Sequence, residues 1–271
     1  MGQVYEYDGL CLEYEVLGNG SKALFAFHGF GSSAELFRSV EESLGKTYTI
    51  YSFNLPYHGL SRLDHDSSAL GIYPDLLKVY FKNFLWHIRA TYFSVAGFSL
   101  GGKIALELVT LFPEEVRDIF LFAPDGIKVS PWYGFVTKTM LGNWFFKRMM
   151  QHPIRYQNII NVLAKIRIVH PRTANFVKGS LDTEDKRLLV YNTWKCFRHI
   201  EPNTRKFQNI VNRKGLRIYL FFGKHDKVIP PVIGKKFVRG LRDKKSLHIV
   251  DAGHQMINEK MNAELEKILS A

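Results

Sequence analysis

Cysteine is almost absent: the 271 residues hold two, Cys11 and Cys196, far apart and in no C-x-x-C pair. That excludes a disulfide-stapled scaffold and gives no zinc-site spacing, so no metal is expected. No apolar run approaches the roughly 18 residues that would carry a helix across a bilayer. The first eight residues lack the basic-then-apolar order of a secretory signal, and the expected compartment is the cytoplasm. Internal repeats and low-complexity tracts are missing too.

What remains is the composition of a soluble globular chain, 46% hydrophobic and 23% charged. Its length can bury a sizeable core, and one α/β domain with an insertion is expected rather than two independent domains. The formal charge of +12 is the unusual quantity, and it bears on partners rather than on fold.

Residues 3–7 and 10–17 alternate in polarity around Asp8-Gly9, a hairpin signal. Continuous apolar or β-branched runs at 23–27, 48–53, 91–96, 116–122, 216–222 and 246–250 predict strands covered on both faces. Helical segments are predicted at about 34–44, 73–89, 103–112, 231–240 and 257–269. Strand–helix alternation implies right-handed crossovers and a doubly wound, mostly parallel sheet, with ligands beyond the strands' carboxyl ends. The alternation breaks between about Asp125 and Asn203. Residues 1–125 and 204–271 are therefore expected to form the core, and 126–203 a helical cap.

The central stretch is Gly97-Phe98-Ser99-Leu100-Gly101-Gly102, a strand that turns into a helix within one residue. Glycines two before and two after Ser99 remove side chains that would collide in so tight a turn. The serine hydroxyl then stands at a helix N-terminus, where developing negative charge is favoured. Serine still needs a base, a carboxylate to hold that base's tautomer, and donors for the oxyanion. His254, in a Gly-bearing loop after the last strand, is the expected base. Asp226, in the turn after the preceding strand, is the expected acid, with Asp125 as the rival position. The oxyanion donors expected are the backbone N–H groups of Leu100 and of Phe30, the latter in the loop after the 23–27 strand. His28 is expected to hold that loop in shape and, with Gly29, to border the substrate.

With these residues the sequence resembles the α/β-hydrolase superfamily, in particular its small cap-bearing esterase and carbon–carbon hydrolase members. The resemblance covers roughly residues 3–125 and 204–271. It rests on the elbow with its Gly102-Lys103-Ile104-Ala105 continuation, the His28-Gly29-Phe30-Gly31 loop, and the chain order Ser99, Asp226, His254. Tyr57-His58-Gly59-Leu60-Ser61 is similar to the family's G-H-G-x-S stretch. Asn54 departs from it where aspartate is frequent, as does Tyr57 where glycine or arginine is usual. The resemblance implies acyl transfer without a cofactor, and serine at the nucleophile position speaks against a dehalogenase or epoxide hydrolase. A small or medium acyl ester is the expected substrate. A carbon–carbon hydrolase or lyase acting on a dioxo acid, and a ligand-binding receptor on the same scaffold, stand as alternatives.

From Gly126 to Asn203 thirteen Lys or Arg face four acids, so most of the excess charge lies there, among aromatics that include Trp132 and Trp144. Three readings stay open. The segment binds an anionic substrate tail, with the two tryptophans in its acyl pocket; it rests on an anionic membrane; or it packs its apolar residues and solvates the basic ones. No nucleic-acid-binding motif accompanies the charge, so nucleic acid is not expected as a partner. The oligomeric state is open.

Overall fold

A computed structural model describes residues 2–64, 71–128, 131–152 and 182–269, leaving aside the side chains of residues 131 and 132. The chain divides into two units, Met1–Lys128 with His199–Ala271, and Val129–Arg198.

The first unit is built on one nine-stranded sheet. β1 (Gln3–Tyr7) and β2 (Leu10–Leu17) form the expected hairpin, with Asp8 and Gly9 both at positive φ in the turn. β3 (Lys22–Phe27) and β4 (Tyr48–Phe53) follow, then a two-residue β5 (Arg62–Leu63) that pairs with β2. β6 (Phe93–Phe98), β7 (Val116–Phe122), β8 (Arg217–Gly223) and β9 (Leu247–Val250) complete it. The spatial order is β1-β2-β4-β3-β6-β7-β8-β9, antiparallel as far as the β2–β4 pair and parallel from β4 to β9. The fold is therefore α/β with a doubly wound, mostly parallel sheet.

Side-chain alternation assigns the two faces. Phe25, Phe27 and Phe53 meet Phe81 of α1 (Pro74–His87), and Phe25 stacks on Phe93 at 4.6 Å between ring centres. This aromatic cluster is where much of the chain's phenylalanine goes. α2 (Leu100–Leu111) packs beside α1. On the opposite face the Ser52 hydroxyl donates to Ala34 O, anchoring the 3₁₀ helix Ala34–Val40 and the single α-turn Glu41–Leu44.

The second unit contains α3 (Pro131–Lys138), α4 (Met140–Gln151) and α5 (Glu184–Cys196). Within it, Phe146 stacks near Trp194, and Arg187 donates to Met150 O. α6 (Thr204–Lys214) returns the chain to the first unit and packs on α2; α7 (Pro231–Phe237) and α8 (Lys260–Leu269) follow.

Candidate active site

The chain passes from β3 to β4 on one side and then crosses to β6 on the other, so the carboxyl ends of β3 and β6 border the topological switch point, where such sheets bind ligands. Ser99 leaves β6 at this point. Its backbone sits at φ 49°, ψ −116°, a conformation that costs a non-glycine residue on the order of 1–3 kcal/mol. The end of β7 holds it there: Ser99 N–H donates to Phe122 O, and Asp125 N–H donates to Ser99 O. A Cβ on Gly101 would come within 2.0 Å of Phe27 O, and one on Gly97 within 2.5 Å of Gly101 O. The two glycines let the turn close and bring it against β3.

Asp226 and His254 come from the ends of the neighbouring parallel strands β8 and β9. His254 Nδ1 lies 2.8 Å from Asp226 Oδ2, and His254 Nε2 lies 3.1 Å from Ser99 Oγ. Asp226 is buried, and its other oxygen accepts the Val228 and Ile229 N–H groups at 2.7 and 2.9 Å. Its carboxylate is thus an acceptor at both oxygens, which makes Nδ1 the protonated nitrogen and leaves the Nε2 lone pair facing the serine hydroxyl. The Phe98 ring lies against the imidazole, 5.1 Å between centres. Asp125, the rival acid, occupies a different position: its carboxyl accepts the Gly126 N–H and its backbone braces the elbow.

Leu100 opens α2, so its N–H has no intrahelical carbonyl to reach. Phe30 lies in the turn after β3, and next to it a Cβ on Gly29 would sit 3.3 Å from Ser99 Cβ, which shows how closely the two loops approach.

His28 and His58 join the loops after β3 and β4 reciprocally. Leu55 N–H of the second loop donates to His28 Nε2 at 3.0 Å, and Gly31 N–H of the first donates to His58 Nε2 at 3.1 Å. Each Nδ1 lies within hydrogen-bonding distance of a carbonyl of its own loop, Gly29 O and Pro56 O. Both rings accept at Nε2 and so are neutral. Burial pushes the His28 ring down to about 3, with His58 adding to the effect and the Gly29 carbonyl opposing it. Burial also lowers His58, against the Pro56 and Leu55 carbonyls. Of the two roles expected of His28, shaping the loop is the one its geometry serves. The ring is fully buried, and both its nitrogens are engaged within the two loops.

The cross-loop role of His58 and the part played by Glu13 are not among the roles expected from the sequence. The Glu13 carboxylate accepts from Asn54 Nδ2 and from Leu60 N–H, both at 2.8 Å, while Asn54 Oδ1 accepts Ala34 N–H. The available signal was an acid in the alternation of β2 beside a loop that lacks the usual aspartate. Of the two tryptophans expected at the substrate, Trp144 lies on α4, 57% exposed, with the Arg148 guanidinium 5.5 Å from its ring centre. Trp132 lies on α3, and its side chain falls outside the described residues.

A doubly wound sheet carrying a strained serine elbow at its switch point defines the α/β-hydrolase class. The chain belongs to the alpha/beta hydrolase family, whose model matches residues 23–268. It is 25% identical over 260 residues to the uncharacterized hydrolase YugF of Bacillus subtilis, covering 94% of this chain and 92% of that protein. Among solved structures it is similar to a thermophilic esterase from Thermogutta terrifontis, with a TM-score of 0.68 and 14% identity over 100% of this chain and 97% of the other. It is also similar to a variant of the meta-cleavage product hydrolase CumD, with a TM-score of 0.65 and 15% identity over 100% and 97%. Among the described residues no helix is long and apolar enough to cross a membrane.

Proposed function

We propose that this chain hydrolyses a small or medium acyl ester through a Ser99–His254–Asp226 triad. The observation that carries the reading is the pair of contacts His254 makes, to Asp226 through Nδ1 and to Ser99 through Nε2. As Ser99 Oγ bonds to the carbonyl carbon, its proton passes to His254 Nε2, and the buried Asp226 carboxylate stabilises the imidazolium. The Phe30 and Leu100 N–H groups receive the oxyanion. Collapse of the tetrahedral intermediate breaks the C–O bond to the alcohol, which leaves with the proton from His254. Water, deprotonated by the same imidazole, then releases the acid and regenerates Ser99.

A fluorophosphonate probe should label the wild type and not Ser99→Ala. Turnover of p-nitrophenyl esters of rising chain length is expected, with a preference at short or medium length. Faster cleavage of an anionic dioxo acid than of any ester would make the carbon–carbon reaction the function instead. Saturable binding without turnover on either series would leave only the receptor reading.

A further inference from the structure

The second unit carries an apolar corner that its own packing leaves outside. Between Asp125 and Asp182 the sequence holds no acidic residue and nine Lys or Arg. Within that stretch α3 and α4 meet at Thr139, which caps α4: its Oγ accepts the Gly142 N–H at 3.0 Å, and its own N–H and hydroxyl both donate to Phe135 O. A Cβ on Gly142 would lie 2.1 Å from Phe135 O, so the two helices cross in close contact and the corner is stiff. α4 buries Gly142, Phe146 and Met150 on one side. Its other side presents Met140, 91% exposed, and Leu141, 67% exposed, then Trp144, Lys147 and Arg148 at the spacing of one helical stripe. Phe135 and Lys138, both exposed, flank this stripe from α3.

We infer that this corner docks on an anionic lipid surface, with Met140, Leu141 and Trp144 entering the headgroup–acyl boundary and Lys138, Lys147 and Arg148 meeting the lipid charges. Large apolar side chains held outward in one patch mark an interaction surface. Basic residues with an indole ring beside them have the chemistry of interfacial helices, whose cations keep their heads in the polar layer while their stems cover apolar surface. Lipid is favoured over an acidic protein groove because large apolar side chains, an indole and cations share one helical stripe, where a purely acidic groove would match the cations alone. This inference stands whether or not Ser99 is the nucleophile.

The test is cosedimentation of the full chain with vesicles of phosphatidylglycerol and phosphatidylcholine, against vesicles of phosphatidylcholine alone. Binding is expected on the anionic vesicles, weakening as salt is raised, together with quenching of tryptophan fluorescence by brominated acyl chains. Lys147→Ala and Arg148→Ala should each lower partitioning roughly fivefold. Met140→Asp with Leu141→Asp should lower it by roughly tenfold or more at unchanged circular dichroism. No binding to anionic vesicles at low salt overturns the inference, as does an absence of quenching in the wild type. Binding that survives Met140→Asp with Leu141→Asp, and that soluble polyglutamate competes away, overturns it in favour of an acidic protein partner.

Discussion

Asn54 stands where the family's pattern has aspartate, and its surroundings require the amide. One end donates to the Glu13 carboxylate and the other accepts Ala34 N–H. In Asn54→Asp two carboxylates would face each other and one donor would be lost, a cost of about 1–3 kcal/mol expected as a lower urea midpoint. Asp226→Asn tests the opposite kind of position. Its carbonyl oxygen can keep the Val228 and Ile229 N–H bonds, but its NH₂ would then donate to His254 Nδ1, forcing the proton onto Nε2. The imidazole would meet the Ser99 hydroxyl as a donor. Ester turnover should fall roughly 10³–10⁴-fold with stability little changed, and kcat measured beside thermal unfolding checks both. These two residues differ in what the sequence shows of them. Asp226 is readable because turn, strand order and chain order agree. The environment of Asn54 is not, since Glu13 lies on another strand, 41 residues away. Tyr57 is the same case: its φ of 70° suits glycine, one of the two residues usual there, and nothing local in the sequence announces the strain.

At the scale of elements, the elbow is a junction of β6, α2 and β3 that depends on backbone contact. The Gly101 Cα approaches the carbonyl of Phe27, a rigid part of β3, so Gly101→Ala cannot be absorbed by rotating a side chain. A loss of roughly 3 kcal/mol, the upper end for overpacking, is expected, read as a lower unfolding midpoint together with loss of fluorophosphonate labelling. An unaltered midpoint would mean that β3 and α2 separate freely. The strands of this junction are visible in the sequence because burial on both faces writes continuous apolar runs. β5 is not, being two residues long. α6 is absent from the helices expected above although its signals are present: the Asn203 side chain caps Lys206 N–H, and Gly215 ends the helix at φ 63°. They lie at the edge of the break in strand–helix alternation, where no strand immediately before it marks the helix as part of the core. α2 begins at Leu100, earlier than its apolar repeat, because the glycines that build the elbow carry no periodicity.

At the scale of the whole molecule, two buried imidazoles and one half-buried one couple folding to acid. His28, His58 and His248 are all held below the ordinary histidine range, burial being the first cause in each. An unfolded chain takes up protons on these rings near pH 6.5, whereas the native His28 stays neutral until about pH 3. Between those limits the unfolded state binds more protons, so stability rises with pH and is lost as pH falls from about 6.5 towards 3. For His28 alone the loss between pH 7 and pH 5 is about 2 kcal/mol. Protonation has a structural counterpart, because His28⁺ could no longer accept Leu55 N–H and the joint between the β3 and β4 loops would open. Guanidinium midpoints at pH 7 and pH 5 should therefore differ more in the wild type than in His28→Gln, which offers Leu55 a carbonyl acceptor that does not titrate. Equal differences in the two proteins would place the acid sensitivity elsewhere than in the joined loops.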